Sequence, residues 1–353
     1  MNLKRNSYAS IELKKHILTN DYQFDFLDSN VTATDEDEEI VNDLLNEIEE
    51  YEIHDFKGGT GEWLWLQNNK QKDFIHTITN KKVKQLSLKL ATMFKNDSTY
   101  GYLSPSFYDV NNDPEMVKSD ILHNIDSCVE FAGLKNITDL LTPATIGAPF
   151  GLLTDGGVVL PDTPRHYYYA MNIKRKLNIK VRNPLVVEIG GGYGGLCKIL
   201  KEQIKNCAVI NIDLLPALCT AYYYMKKLKI EVSFIQGIKD WKPNKINLLC
   251  ADQFDAEQGY NLSPNLIFNS RSLCEMAEET CNKYLKFVNK SSTNYFYHEN
   301  SNYLLFPNSI RHVELLADDF GIDENKYNLQ WKCITPFTGG KGRYREYMYA
   351  IES

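Results

Sequence analysis

Pro184-Leu-Val-Val-Glu188-Ile-Gly190-Gly-Gly192-Tyr193-Gly194-Gly195 is an apolar run that ends in an acid and then in a cluster of glycines. It predicts a strand, a tight turn and the start of a helix. Glycine belongs in such a turn because positive φ, or a backbone that must touch a ligand, leaves no room for a Cβ. The ligand of this chain is expected here.

The glycine spacing admits two cofactors. Gly190, Gly192 and Gly195 satisfy G-x-G-x-x-G, the dinucleotide pattern, and Asp213 falls near the offset of about 20 residues expected for a ribose-binding acid. Glu188, Gly190, Gly192 and Gly194 also satisfy E-x-G-x-G-x-G, which resembles motif I of the class I S-adenosylmethionine (SAM) methyltransferases. Glu188 separates the two. An acid two residues before the first glycine has no task facing a pyrophosphate, whereas it suits a cofactor whose amino acid portion carries an ammonium.

The 353 residues suffice for one large domain or two ordinary ones with a packed core. A formal net charge of −7 argues against a nucleic-acid partner, since such binders present a basic face. The eight cysteines, Cys128, Cys197, Cys207, Cys219, Cys250, Cys274, Cys281 and Cys333, show no C-x-x-C pair. They read as small hydrophobes of a reducing compartment, not as a disulfide framework or zinc site. With no signal-peptide pattern after Met1 and no stretch of about 20 apolar residues, the expectation is a cytoplasmic protein without a membrane span. A homo-oligomer is compatible with this sequence.

Residues 1–145 are expected to form a helical N-terminal region that caps the site and shapes the acceptor pocket. Ile40, Val41, Leu44, Leu45 and Ile48 recur at helical spacing behind Thr34 and the acids Asp35 to Glu39, a favourable charge for a helix start. Further helical patterns run from Ile75 to Phe94 and from Val117 to Leu134. Gly58-Gly59-Thr-Gly61 reads as a loop, with Trp63 and Trp65 as apolar anchors after it. From Thr142 to Pro164 the texture turns to Pro, Gly and Asp, an irregular connection of a length that is uncommon unless functional.

Residues 146–353 alternate as an α/β sheet demands. Strands are expected at Leu185–Ile189, Ala208–Ile212, Val232–Gln236, Ile246–Ala251, Asn265–Asn269 and Asn294–Tyr297, with helices near Gly194–Lys205, Leu215–Leu228 and Glu275–Phe287. Leu329 to Phe337, a glycine-rich turn at 338–342, and Tyr344 to Ile351 form a hairpin signature. The fold class is therefore α/β: a Rossmann-like sheet closed by a C-terminal antiparallel hairpin, a layout that resembles class I methyltransferases more than dinucleotide enzymes.

Ligands of such sheets sit beyond the C-terminal strand ends, where strand order reverses. The cofactor residues expected there are Glu188, Gly190, Gly192, Tyr193 and Gly194 at the first strand, and Asp213 with Leu214 at the second, where a carboxylate suits ribose hydroxyls. Asp213 also has an ordinary structural reading, as the cap of the Leu215 helix. Asp252 or Gln253 would meet the adenine amino group, with Phe254 against its face. Asn269 lies at a fourth strand end beside Arg271 and Glu275. Methyl transfer is an in-line displacement, so positioning supplies much of the acceleration, and a hydroxyl acceptor needs a general base. His298, expected just past the last parallel strand, and Glu275, at a loop-to-helix junction, are the base candidates; each also has an ordinary structural reading, as a packed histidine or a helix-start carboxylate. Arg165, His166, Arg271 and Glu299 are the substrate-side candidates. His312 reads as a helix residue. Asp318 and Asp319 are two acids without further ligands and do not support a divalent-metal site, so no metal residues are assigned.

From about Gly147 onwards the chain resembles the bacterial sugar O-methyltransferase family. The residues that carry the resemblance are Arg165-His166-Tyr-Tyr-Tyr-Ala170, Glu188 to Gly195, Asp213-Leu-Leu-Pro216 with Ala221-Tyr-Tyr-Tyr224, Asn269-Ser270 with Ser272 and Glu275-Met276, and Tyr297-His298-Glu299-Asn300. Where the family carries Phe-Gln-Glu-Met, this chain has Leu273-Cys274-Glu275-Met276. The resemblance implies a class I fold, SAM as methyl donor with S-adenosylhomocysteine as product, and a sugar or glycan hydroxyl as acceptor in surface-polysaccharide biosynthesis. The competing readings are an NAD(P)-dependent oxidoreductase, from the overlapping G-x-G-x-x-G, and a non-catalytic binding module on the SAM fold. Tyr167–Tyr169 and Tyr222–Tyr224 offer flat faces suited to sugar rings, though core packing explains most of them.

Overall fold

The structure is a computed structural model that describes residues 31–49, 51, 62–103, 105, 113–177, 181–303, 315–337 and 343–351. The Gly58–Gly61 loop, His312 and the turn at 338–342 lie outside the described residues. The N-terminal part supplies α1 (Asp35–Glu47), α2 (Glu62–Asn69), α3 (Lys72–Thr79), α4 (Val83–Ala91) and α5 (Pro114–Ser127). Three short strands follow, β1 (Leu141–Thr142), β2 (Leu152–Thr154) and β3 (Gly157–Val159), and then α6 (Thr163–Lys176). The alternating part is β4 (Leu185–Ile189), α7 (Gly195–Gln203), β5 (Ala208–Asp213), α8 (Leu215–Lys227), β6 (Val232–Phe234), β7 (Ile246–Cys250), α9 (Ala256–Gly259), β8 (Leu266–Ser270), α10 (Glu278–Lys290) and β9 (Tyr295–Ser301). The chain closes with β10 (Tyr327–Ile334) and β11 (Tyr344–Ile351).

Local chemistry explains the boundaries. Thr34 and Asp37 form a reciprocal capping box at the start of α1, while Ile40, Val41, Leu44 and Leu45 make its buried face. The helical pattern from Ile75 to Phe94 is two helices, because the Asn80 amide caps the His76 carbonyl at 2.7 Å and Lys81 takes a left-handed φ of 49°. The pattern from Val117 ends in a π turn over Cys128–Ala132, stopped by Gly133 at φ 71°.

Eight strands make the main sheet in the order β10-β11-β9-β8-β4-β5-β7-β6. From β9 through β6 every pairing is parallel, and β11 joins β9 and β10 antiparallel, so the expected hairpin does close a Rossmann-like sheet. The chain runs outward from β4 in one direction through β5 and in the other through β8, which places the reversal of strand order between β4 and β8. β4 is buried throughout and β8 except at Ser270, as parallel strands covered on both faces must be.

One core cluster runs from Ile40 and Leu44 of α1 through Tyr169 of α6 to Phe268 and Tyr297 of the sheet. The N-terminal helices are thus layered on the sheet. Asp37 of α1 accepts from Tyr223 of α8 at 2.6 Å and pairs with Lys227 at 2.9 Å. Burial opposes its charge, yet Tyr223, Thr34 and Lys227 hold its pKa below the ordinary value. The 145/146 division falls inside the small antiparallel sheet β1-β3-β2, whose β1 pairs with β3 across it. Tyr167, Tyr169 and Tyr222–Tyr224 are all buried in the core.

Candidate functional site

A cavity of about 580 Å³, within the range of small-molecule sites, opens at the strand-order reversal. Its floor is the turn after β4. Gly190 and Gly192 take φ of 73° and 55°, and a Cβ on Gly190 would stand 2.1 Å from the Ser272 hydroxyl. Both positions therefore require glycine. Gly194, at φ 82°, packs under α8, where a Cβ would meet the Met225 methyl at 2.8 Å, and it does not line the cavity.

Three carboxylates edge this floor: Glu188 from β4, Asp213 from β5 and Asp252 just past β7. Glu188 is 5% exposed and accepts from the Cys197 thiol at 3.1 Å. Burial pushes its pKa up to about 7. Asp213 accepts the backbone N–H groups of Gly192 and Leu214, each at 2.6 Å, and burial still raises it to about 6. It is not the cap of α8, whose N-cap is Leu214. Because β7 lies directly beside β5, with β6 outside it, Asp252 lies next to Asp213 at the cavity edge. Burial raises the Asp252 pKa against the pull of Lys283.

Gln253 points elsewhere and donates to Gln236 at 3.0 Å, outside the lining. Phe254 is likewise behind the wall, stacked on Tyr284 with centroids 4.9 Å apart, and Tyr284 of α10 takes the place expected of it in the cavity. Asn269 is fully buried and holds the floor together: its amide donates to the Ile189 carbonyl at 2.8 Å and its oxygen accepts from Asn300 at 2.8 Å. It positions the turn and lines nothing.

Arg165, Ser270, Arg271 and Glu275 form the opposite wall. Glu299, fully buried behind it, receives Nε and Nη2 of Arg271 at 3.0 and 3.1 Å, and Ser270 at 3.0 Å. Arg165 donates to Ser270 at 2.7 Å and pairs with Asp162 at 3.1 Å. Burial opposes the Glu299 charge, but Arg271 and Arg165 bring its pKa down to about 2. Glu299 is therefore the anchor of two lining arginines and does not itself line the cavity. Arg271 sits at φ 58°, a left-handed conformation that its N–H to the Glu299 carbonyl (2.8 Å) and its ring contact with Tyr344 (4.3 Å) hold in place.

His298 is not at the cavity. The strand expected to end at Tyr297 continues to Ser301, because β11 pairs with all seven residues of β9. His298 therefore falls mid-strand, fully buried, stacked on Tyr347 (4.6 Å) with Phe296, Phe320 and Tyr349 around it. Burial lowers its pKa to about 3. Glu275, which ends a short 3-10 turn ahead of α10, does line the cavity, as do His166, Tyr193 and Leu214. Asp318 accepts from Tyr347 at 2.6 Å, a structural contact on the far side of β11.

The N-terminal region supplies a roof that no motif announced. Trp63, Leu66, Gly101, Tyr102 and Asp120 line the cavity. Trp63, Tyr102 and Tyr193 stack in succession, with centroids 6.2 and 6.3 Å apart. The Tyr102 hydroxyl lies 3.2 Å from that of Thr220 on α8 and ties the roof to the sheet domain. Only the tryptophan stood out in sequence; Tyr102 and Asp120 belong to no spacing that marks a site. No group of three or more His, Cys, Asp or Glu residues able to hold a metal occurs among the described residues, and no helix there is long and apolar enough to cross a membrane.

No family model matches the sequence, and neither does any curated protein. Among solved structures, the chain is similar to magnesium protoporphyrin IX methyltransferase from Synechocystis PCC 6803 with bound SAH, at 13% identity over 53% of this chain and 82% of that one, TM-score 0.37. It is also similar to the small RNA methyltransferase HEN1, at 14% identity over 54% of this chain and 25% of that one, TM-score 0.38. A third is an S-adenosylmethionine-dependent methyltransferase from Clostridium acetobutylicum ATCC 824, at 12% identity over 52% and 89%, TM-score 0.35. Likenesses this distant say nothing of substrate or activity.

Proposed function

We propose that this protein transfers a methyl group from SAM to a hydroxyl of a sugar, either a nucleotide sugar or the end of a glycan. The observation that carries the reading is the glycine turn edged by Glu188, Asp213 and Asp252. A pyrophosphate laid on this turn would face three carboxylates, whereas a ligand with an ammonium and ribose hydroxyls gains from each, which favours SAM over a nicotinamide dinucleotide. The residues present fit the donor: Glu188 would take the ammonium, Asp213 the ribose hydroxyls, and Asp252 with Tyr284 the adenine.

When bound, SAM supplies an electrophilic methyl group. What this chain adds is position and a proton acceptor. Glu275 is the proposed base, since a carboxylate in the cavity wall is able to take the proton of an acceptor hydroxyl as it attacks, and His298 is withdrawn from that role by its burial. The roof residues Trp63, Tyr102 and Asp120, with Arg165 and Arg271, would bind the acceptor: aromatic faces and charged donors and acceptors are what a sugar ring offers partners for. The sugar class rests on the resemblance of the motifs from Arg165 to Asn300 alone, which no family model matches.

Incubation with methyl-labelled SAM and a panel of nucleotide sugars and extracted surface glycans tests the acceptor. Label in at least one sugar, lost in Glu275→Gln, is the expected result; transfer only to a non-sugar acceptor would retire the sugar assignment while keeping the donor.

A further inference from the structure

His166 lines the cavity one residue after Arg165, in the first turn of α6. Its imidazole stands on the N-terminus of α7: a Cβ built on Gly195, the first residue of that helix, would lie 2.5 Å from Nδ1. Nδ1 is sealed from solvent there and finds no hydrogen-bond partner. Tyr193 lies beside the ring, with centroids 6.0 Å apart and its hydroxyl 2.5 Å from the same built Cβ, yet it makes no hydrogen bond to Nδ1.

This placement selects a tautomer. A buried N–H aimed at a helix N-terminus has no acceptor and points at the positive end of the helix dipole, whereas a lone pair in the same place is favoured. The ring therefore keeps its proton on Nε2, the nitrogen left to the cavity. A second proton has nowhere to go, and burial, reinforced by the Arg165 charge, brings the His166 pKa down to about 3. Asp162, Glu299 and Arg271 are the other charged groups that act on it, the two acids in the opposite sense. A ring with Nδ1 closed off and Nε2 protonated donates a hydrogen bond at neutral pH and does not accept a proton.

His166 abuts Gly195, at the end of the glycine turn that follows Glu188, and lines the same cavity as that acid, which places it at the end assigned to the ammonium. An amino acid moiety carries a carboxylate beside its ammonium, and the carboxylate needs donors. We propose that His166 is a fixed hydrogen-bond donor, through Nε2–H, to the carboxylate of the methyl donor. This rests on the reading of the cofactor as SAM. His166 is thereby a cofactor residue, in place of the substrate-side role expected for it, and not a base.

Two measurements test it. In the histidine-labelled apoprotein, 15N NMR is expected to show, besides the buried His298, a neutral Nε2–H ring between pH 5 and 8 that is lost in His166→Gln; a ring at this position titrating near its ordinary value, or protonated on Nδ1, would overturn the proposal. Calorimetric titration then compares SAM with decarboxylated SAM, which keeps the ammonium and lacks the carboxylate. His166→Ala is expected to weaken SAM about tenfold and leave the decarboxylated donor unchanged, the loss of one hydrogen bond to a charged group. His166→Gln, which keeps an N–H donor, is expected to retain more of the affinity. An equal loss for both donors in His166→Ala would overturn the proposal alone. Failure of the unsubstituted protein to bind either would overturn the SAM reading and the proposal with it.

Discussion

Glu188 is buried at the end of β4 with a thiol as its hydrogen-bond donor and a pKa of about 7. A carboxyl raised above its unfolded value holds its proton more tightly in the folded chain, so its contribution to stability falls as pH rises from about 4.5 through about 7. An ammonium ligand binds the charged form, so the affinity for SAM is expected to rise with pH across the same window, by about tenfold per unit below the pKa, and level off above it. Glu188→Gln is expected to bind weakly and to reduce that rise to the part that Asp213, raised to about 6, contributes; an unchanged pH profile in calorimetry would mean that Glu188 does not meet the ligand. His298 is expected to behave as packing. His298→Ala should cost about 3 kcal/mol in denaturant unfolding, in the range for a buried ring, while His298→Phe, which keeps the stack, should leave turnover within about twofold. A turnover collapse in a well-folded His298→Phe would restore it as a catalytic group.

At the scale of elements, the turn between β4 and α7 is the most constrained piece of the molecule. Gly190→Ala is expected to abolish SAM binding and to lower the midpoint of thermal unfolding, because φ of 73° and a Cβ 2.1 Å from Ser272 Oγ strain the floor that Asn269 locks. Wild-type binding in that variant would show that the ligand does not rest on this turn. The turn was legible in sequence because glycine in such a pattern has few other uses. So were β4, β5, β7 and β8, whose continuous apolar runs leave no alternative in a doubly covered sheet. The end of β9 was not legible: Tyr-His-Glu-Asn-Ser is polar, and it is strand because β8 pairs it as far as Glu299 and β11, some fifty residues later, pairs it as far as Ser301. That long-range pairing moved His298 from the cavity into the core. It also put Glu299 behind the wall, where its role is to hold Arg165 and Arg271.

The whole molecule is a Rossmann-like sheet closed by an antiparallel hairpin, with its N-terminal helices packed into the same core and lining the cavity at the strand ends. Helical spacing marked the helices, but which of their residues look into the cavity depends on how the segment around Gly101 lies on α8 and how Trp63 and Leu66 of α2 pack on that segment, and no local pattern encodes that. The stacked roof of Trp63, Tyr102 and Tyr193 gives this layer a function to test. Trp63→Ala is expected to raise the KM for the acceptor about tenfold and to leave SAM affinity within about twofold, since the roof is the proposed acceptor side and the proposed donor residues are those of the strand ends. An equal loss for both substrates would make the roof a lid over the entire site. The choice of donor is the claim on which everything else depends, and calorimetric titration of the purified protein with SAM and, separately, with NADH tests it most directly. Saturable one-to-one binding of SAM, weakened in Glu188→Gln, with none of NADH, is the expected result; saturable binding of NADH without SAM would contradict it.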